Sequence, residues 1–177
     1  LKNIAAMSLL SRTYALLKNK EKTLLYANKA VKISPTFANY NNLGSAHALF
    51  GLNKEAKLNW NKSLKISPKN PVAHYNLGNI FSRTKDYDEA IKSYQKAIEQ
   101  KSDYLQALFN LGTVYEILNK NIQAVEYYQK TLALNPNHML AHFGLGNGFL
   151  MSNKPESALL EYKEAIKLYP DHTPSFV

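Results

Sequence analysis

The chain has 177 residues, 45% hydrophobic and 20% charged, a balance that excludes a disordered tail and is enough to bury a sizeable core. It has no cysteine, which excludes disulfides, thiolate nucleophiles and zinc fingers, and no apolar run long enough to span a membrane. The formal charge is +9, but only Arg12 and Arg83 among the 22 basic residues carry the planar fork that suits phosphate, so the surplus reads as a solvated lysine surface and argues against a nucleic-acid partner.

A chain opening on Leu1 reads as a fragment or processed product. The first helical pair is expected over 4–36. Its apolar opening, Ile4 to Leu17, is interrupted by Ser8, Ser11 and Arg12, which suits a helix face better than a signal peptide. Its close, Ala30-Val31-Lys32-Ile33-Ser34-Pro35, returns as Ser63-Leu64-Lys65-Ile66-Ser67-Pro68, a shift of thirty-three residues. Ser11 then stands where the later copies have glycine.

From 37 onward the period is thirty-four, giving units 37–70, 71–104, 105–138 and 139–172. Leu-Gly recurs at Leu43-Gly44, Leu77-Gly78, Leu111-Gly112 and Leu145-Gly146. Alanine follows at Ala56, Ala90, Ala124 and Ala158, and a large ring at Trp60, Tyr94, Tyr128 and Tyr162. Proline closes three units at Pro68, Pro136 and Pro170, with Ser102 in the fourth. In each unit Tyr40, Leu43, Gly44, His47 and their equivalents are spaced as one face of a helix. Glycine and alanine are expected to face each other and bring two helices of about fourteen residues together, with the ring filling the gap beside them. Asp86, Asp88 and Pro155 suit the start of a second helix. Residues 173–177 read as the start of a further helix or a truncated cap, an uncapped end through which the chain is expected to self-associate.

These columns resemble the tetratricopeptide repeat over nearly the whole chain. The departures are Tyr40, His74, Leu108 and His142 in the leading tryptophan column, and His47 among Phe81, Tyr115 and Phe149. The resemblance implies an all-α fold, an α-solenoid wound as a right-handed superhelix, with first helices lining a concave groove. It places Asn41, Tyr75, Phe109 and Phe143 in that groove, with Ser45, Asn79, Thr113 and Asn147 beyond the Leu column and Asn42, Asn76 and Asn110 before it. An asparagine amide pairs with both the C=O and the N–H of an extended peptide. Rungs roughly 10 Å apart would meet about every third residue of such a chain. This column is similar to the asparagine ladder of O-linked N-acetylglucosamine transferase repeats. The alternative is that the amides and rings bond to neighbouring helices.

Other chemistry is expected to be absent. A carboxylate clamp of the chaperone-binding kind would use Asn79 and Asn110, but Gln106, Leu140 and Gly144 supply no cation. His138 and His142 are four apart, yet periodicity explains them better than a metal does. Gly144-Leu145-Gly146-Asn147-Gly148 lies within a helix rather than after a strand, unlike a phosphate loop. Its glycines predict that this helix is looser than its equivalent at Leu105 to Leu118. No cofactor and no catalysis are expected. Lys54, Lys57, Lys62, Lys65, Lys92 and Lys96 fall on second helices, the convex side by the resemblance.

The leading expectation is a non-catalytic scaffold that binds a protein or peptide. The alternatives are an accessory region of a larger enzyme, such as a glycosyltransferase, and an assembly module working through its ends or its lysine-rich face. The compartment is left open.

Overall fold

The computed structural model describes residues 3–168. Pro170 and the expected start of a further helix at 173–177 lie outside them. Among the described residues there are ten α-helices and no strand. They are α1 (Ile4–Leu16), α2 (Lys20–Ile33), α3 (Phe37–Leu49), α4 (Asn53–Ile66), α5 (Pro71–Arg83), α6 (Tyr87–Gln100), α7 (Leu105–Ile117), α8 (Asn121–Leu134), α9 (Met139–Met151) and α10 (Pro155–Leu168). The chain divides into two compact units, Leu1–Asp86 and Tyr87–Val177. Within each, every helix packs on its chain neighbour. First helices also meet one another, α1 with α3 and α3 with α5 in one unit, α7 with α9 in the other.

Local chemistry sets the ends. Side chains of Asn3, Asn19, Thr36, Asn70 and His138 accept from backbone N–H groups in the first turns of α1, α2, α3, α5 and α9, satisfying donors that a helix start leaves open. Pro155 opens α10, where its missing N–H costs nothing, and Asp88 stands in the first turn of α6.

The turn inside each pair repeats as strictly as the helices. Lys18, Gly51, Lys85, Asn119 and Asn153 all have positive φ, between 53° and 74°. The next residue's N–H then reaches back to a carbonyl five residues earlier, as in Leu52 N to His47 O at 3.0 Å and Lys120 N to Tyr115 O at 2.9 Å. This is the Schellman C-cap, which needs one left-handed residue. Only Gly51 adopts it freely.

The core is built by rings lying on glycines. A β-carbon placed on Gly44 would sit 2.6 Å from Trp60 Nε1, and one on Gly146 would sit 2.5 Å from the Tyr162 ring. The glycine therefore faces the ring itself, which corrects the expected arrangement of small residue against small residue with the ring alongside. The reason is steric: an indole or phenol needs the width of a missing side chain. Trp60 gathers Ala56, Ala73, Leu77 and Ile80 into one buried cluster.

The first pair solves the problem the other way. Its second helix carries Ala27 where later pairs carry the ring, and Ala27 packs with Leu43 and Ala46. Without a ring to admit, Ser11 replaces glycine, and its buried hydroxyl donates to Thr23 O at 2.9 Å.

Candidate functional site

Two clefts open between consecutive first helices of the first unit. One, of about 320 Å³, lies between α1 and α3 and is lined by Ser8, Ser11, Arg12, Ala15 and Thr23 on one side and Asn42, Ser45, Ala46 and Leu49 on the other. The next, of about 300 Å³, lies between α3 and α5. Ser45, Ala48 and Leu49 face Asn76, Asn79, Ile80 and Arg83 across it, with Trp60 also in its wall. The Arg83 guanidinium donates to Asn53 Oδ1 at 2.7 Å. Ser45 and Leu49 thus serve both clefts.

Sequence-derived site residues divide between these clefts and the packing. Asn42 is exposed and lines the first; Asn76 and Asn79 are half-buried and line the second. Asn41 instead turns inward. Its carbonyl accepts from Trp60 Nε1 at 3.2 Å, while its side-chain Oδ1 is buried and makes no hydrogen bond. Tyr75 is half-buried on α5.

In the second unit, Asn110 is half-buried on α7. Phe109 packs its ring 4.6 Å from His138 and 5.8 Å from Tyr128, and Phe143 lies 5.7 Å from Tyr162. Asn147 is engaged at both ends of its amide. Nδ2 donates to Glu116 Oε1 at 2.8 Å, and Oδ1 accepts from the Tyr162 hydroxyl at 2.8 Å. The Tyr128 hydroxyl donates to Glu116 Oε2 at 2.5 Å and meets Thr113 Oγ1 at 3.4 Å. Burial, followed by this bond to a carboxylate, pushes the Tyr128 phenol well above its ordinary range. Tyr162 is raised by burial and by the charge on Glu116.

The glycine run on α9 has a packing explanation. A β-carbon at Gly144 would lie 2.5 Å from the Tyr128 ring, one at Gly146 2.5 Å from Tyr162, and one at Gly148 2.5 Å from Val125 Cγ2. The three glycines admit three side chains. Tyr128 is wedged between α7 and α9, since it also meets the β-carbon position of Gly112 at 3.0 Å.

The histidines are likewise occupied. His138 Nδ1 caps α9 by accepting from Ala141 N at 3.2 Å, and burial lowers its pKa from the ordinary 6.5. His142 bonds Pro136 O at 2.9 Å and Glu161 at 2.7 Å, and His74 makes the same proline contact to Pro68 O at 3.0 Å. Among the described residues no group of three His, Asp or Glu side chains comes together to hold a metal ion. No helix there is long and apolar enough to cross a membrane. Several lysines cover rings of this chain: Lys57 lies 5.2 Å from the Phe81 centroid, Lys62 5.7 Å from Tyr40 and Lys130 4.7 Å from Tyr127.

Models of the tetratricopeptide repeat match residues 70–137 and 109–173, together more than half of the chain. The chain belongs to the tetratricopeptide repeat family. Human tetratricopeptide repeat protein 6 is 29% identical over 72 residues, which are 41% of this chain and 14% of that relative's length. Among solved structures, MamA matches with a TM-score of 0.82 at 22% identity, over 91% of this chain and 95% of its own. YrrB, described as a TPR protein with an unusual peptide-binding site, matches with a TM-score of 0.76 at 22% identity, over 92% of this chain and 84% of its own. These likenesses show the fold, an all-α solenoid of TPR hairpins.

Proposed function

We propose that this TPR chain is a protein-binding scaffold that holds an extended segment of a partner against its first helices, with Asn42, Asn76 and Asn110 as amide rungs. The observation that carries the reading is that Asn42 and Asn76, one repeat apart, each line a cleft between consecutive first helices. An amide so placed offers donors and an acceptor to a backbone whatever side chains that backbone bears. This is the chemistry of the asparagine column in O-linked N-acetylglucosamine transferase repeats. The likeness to YrrB is in keeping with it, since that protein has a peptide-binding site.

Asn147, Phe109 and Phe143 join the reading only secondarily, because tyrosines and Glu116 already engage them. The role requires no reaction. Three rungs at about 0.5–1.5 kcal/mol each, with a few ring contacts set against the cost of association, correspond to roughly micromolar affinity.

A displayed peptide library selected on the whole chain supplies a probe, and fluorescence anisotropy of the selected peptide measures it. Asn42→Ala with Asn76→Ala is expected to weaken binding by about tenfold or more while leaving the unfolding midpoint close to that of the parent. Unchanged affinity would remove the ladder.

A further inference from the structure

Charge is divided unevenly along the chain. Residues 1–86 hold 14 basic and only three acidic side chains, whereas residues 87–177 hold eight and ten, so the formal +9 resolves into +11 and −2. The four ion pairs among the described residues all lie in the second unit. In the first unit the three acidic residues, Glu21, Glu55 and Asp86, are exposed and line neither cleft. The cations are sorted too. Among the described residues the lysines of that unit fall on α2, α4 and the connecting turns, and none lines a cleft. The chain's two arginines do. Arg12 stands on the α1 wall of one cleft and Arg83 on the α5 wall of the next.

We infer that the partner segment is acidic where it crosses the first unit, and that Arg12 and Arg83 each take one of its Asp or Glu carboxylates. This names the chemistry of the segment held by the first helices, and so rests on the function proposed above. A guanidinium offers paired donors that match a carboxylate in its plane, which an ammonium does not. Neither arginine has a carboxylate partner among the described residues, and Arg83 donates at 2.7 Å to the neutral Asn53 Oδ1, which leaves it further donors. One cation per cleft suits a singly charged group. A phosphate is better met by a cluster of arginines, and a nucleic-acid backbone by the lysines, which here lie elsewhere.

Ser45 and Leu49 of α3 line both clefts, so the arginines flank one helix. With first helices packed roughly 10 Å apart, the two guanidinium groups are separated by roughly 10–20 Å, which an extended chain spans in about three to six residues. The segment is therefore one with two acidic residues at that spacing, and neither has to be its C-terminus.

The probes are peptides of about twelve residues, acetylated and amidated so that no free terminus remains, with two Glu three, four, five or six positions apart. Each is compared with its Gln counterpart by fluorescence anisotropy on the whole chain. At the best spacing Glu is expected to bind about tenfold more tightly than Gln, a preference that shrinks as salt rises. The two arginines give two side-chain Nε–H signals in a nitrogen-15 NMR spectrum, and the Glu peptide is expected to move both. Arg12→Gln and Arg83→Gln should each cost several-fold, and together erase the preference. Lys32→Gln with Lys65→Gln removes as much charge from exposed positions on α2 and α4 and is expected to leave the preference within about twofold.

No binding of any Glu peptide, equal affinity for Glu and Gln at every spacing, or an equal loss in the lysine variant overturns the proposal. Tighter binding of an oligouridylate or of a phosphoserine peptide of the same net charge overturns the assignment to carboxylates. Asn42→Ala with Asn76→Ala separates the two readings, since it is expected to weaken Glu and Gln peptides alike. If it weakens neither while the arginine variants erase the preference, only the ladder fails; if it weakens the library-selected peptide while Glu and Gln peptides bind the parent equally, only the acidic assignment fails.

Discussion

The hydroxyl of Tyr128 lies 2.5 Å from one oxygen of Glu116, while the other oxygen of that carboxylate accepts from Asn147 at 2.8 Å. Tyr162 closes the chain of bonds through Asn147. One half-buried carboxylate on α7 thereby ties α8 and α9 directly and α10 at one remove. Tyr128→Phe keeps the ring wedged between glycines and removes only the hydroxyl's bonds to Glu116 and Thr113. It is expected to cost about 1–3 kcal/mol in urea unfolding. A cycle with Asn147→Ala should show coupling beyond about 0.5 kcal/mol, and strict additivity would mean that the bonds act independently.

Gly44→Ala should destabilise although alanine is the better helix former. The added carbon would meet the buried Trp60 ring at 2.6 Å. Overpacking of about 1–3 kcal/mol exceeds the propensity gain of about 1 kcal/mol. A thermal midpoint at or above that of the parent would show that the indole can move aside.

Gly51 and Lys85 make a matched pair, both left-handed and both exposed. Gly51→Ala is expected to lose about 1 kcal/mol although nothing lies within 4 Å of the new carbon, because the strain is in the backbone. Lys85→Gly should gain about 0.5–1 kcal/mol by relieving the same strain. Chemical denaturation reads both signs.

His138 gives the fold a pH dependence. Burial holds its pKa below 6.5, and its Nδ1 must stay unprotonated to cap α9. A depressed pKa means that the folded form resists the proton. The stability contributed is therefore complete above about pH 6.5 and drains away as the pH falls through the lowered value. His138→Asn keeps a capping acceptor without a titrating ring. The difference between the two stability curves should be flat above pH 7 and should close or reverse toward pH 5; parallel curves throughout would remove this role.

Asn41→Leu tests a conflict between packing and binding. Its Oδ1 is buried and makes no hydrogen bond, a cost of about 1–3 kcal/mol that an apolar side chain avoids. The variant is expected to melt higher, and if Asn41 reaches a bound segment as the sequence suggests, to bind the selected peptide less tightly. A lower melting temperature would show that the amide is not a liability.

The hairpins were legible because ring, glycine and alanine recur in register, and a solenoid repeats its contacts as faithfully as its residues. What lay hidden was contact that crosses from one pair to the next. Nothing in the spacing of Gly144 and Gly148 says that Tyr128 and Val125 will lie on them, because those partners come from the preceding helix. Asn147 looked like a groove residue for the same reason, its position being visible and its partner Glu116 in the preceding pair not. A further signal lies in the turns. Lys18, Gly51, Lys85, Asn119 and Asn153 keep the period, and glycine with two asparagines in one column is what a left-handed turn asks for. The pairing of Ser11 with Ala27, against glycine with a ring elsewhere, was also readable as compensation within one hairpin.

That compensation gives the molecule a direction. Successive hairpins are close copies, yet the exchange of a ring for a methyl group at Ala27 makes the leading one unlike its followers, so their order along the array is not interchangeable. Converting one kind of hairpin into the other would take two coordinated substitutions, at the glycine and at the ring, rather than one.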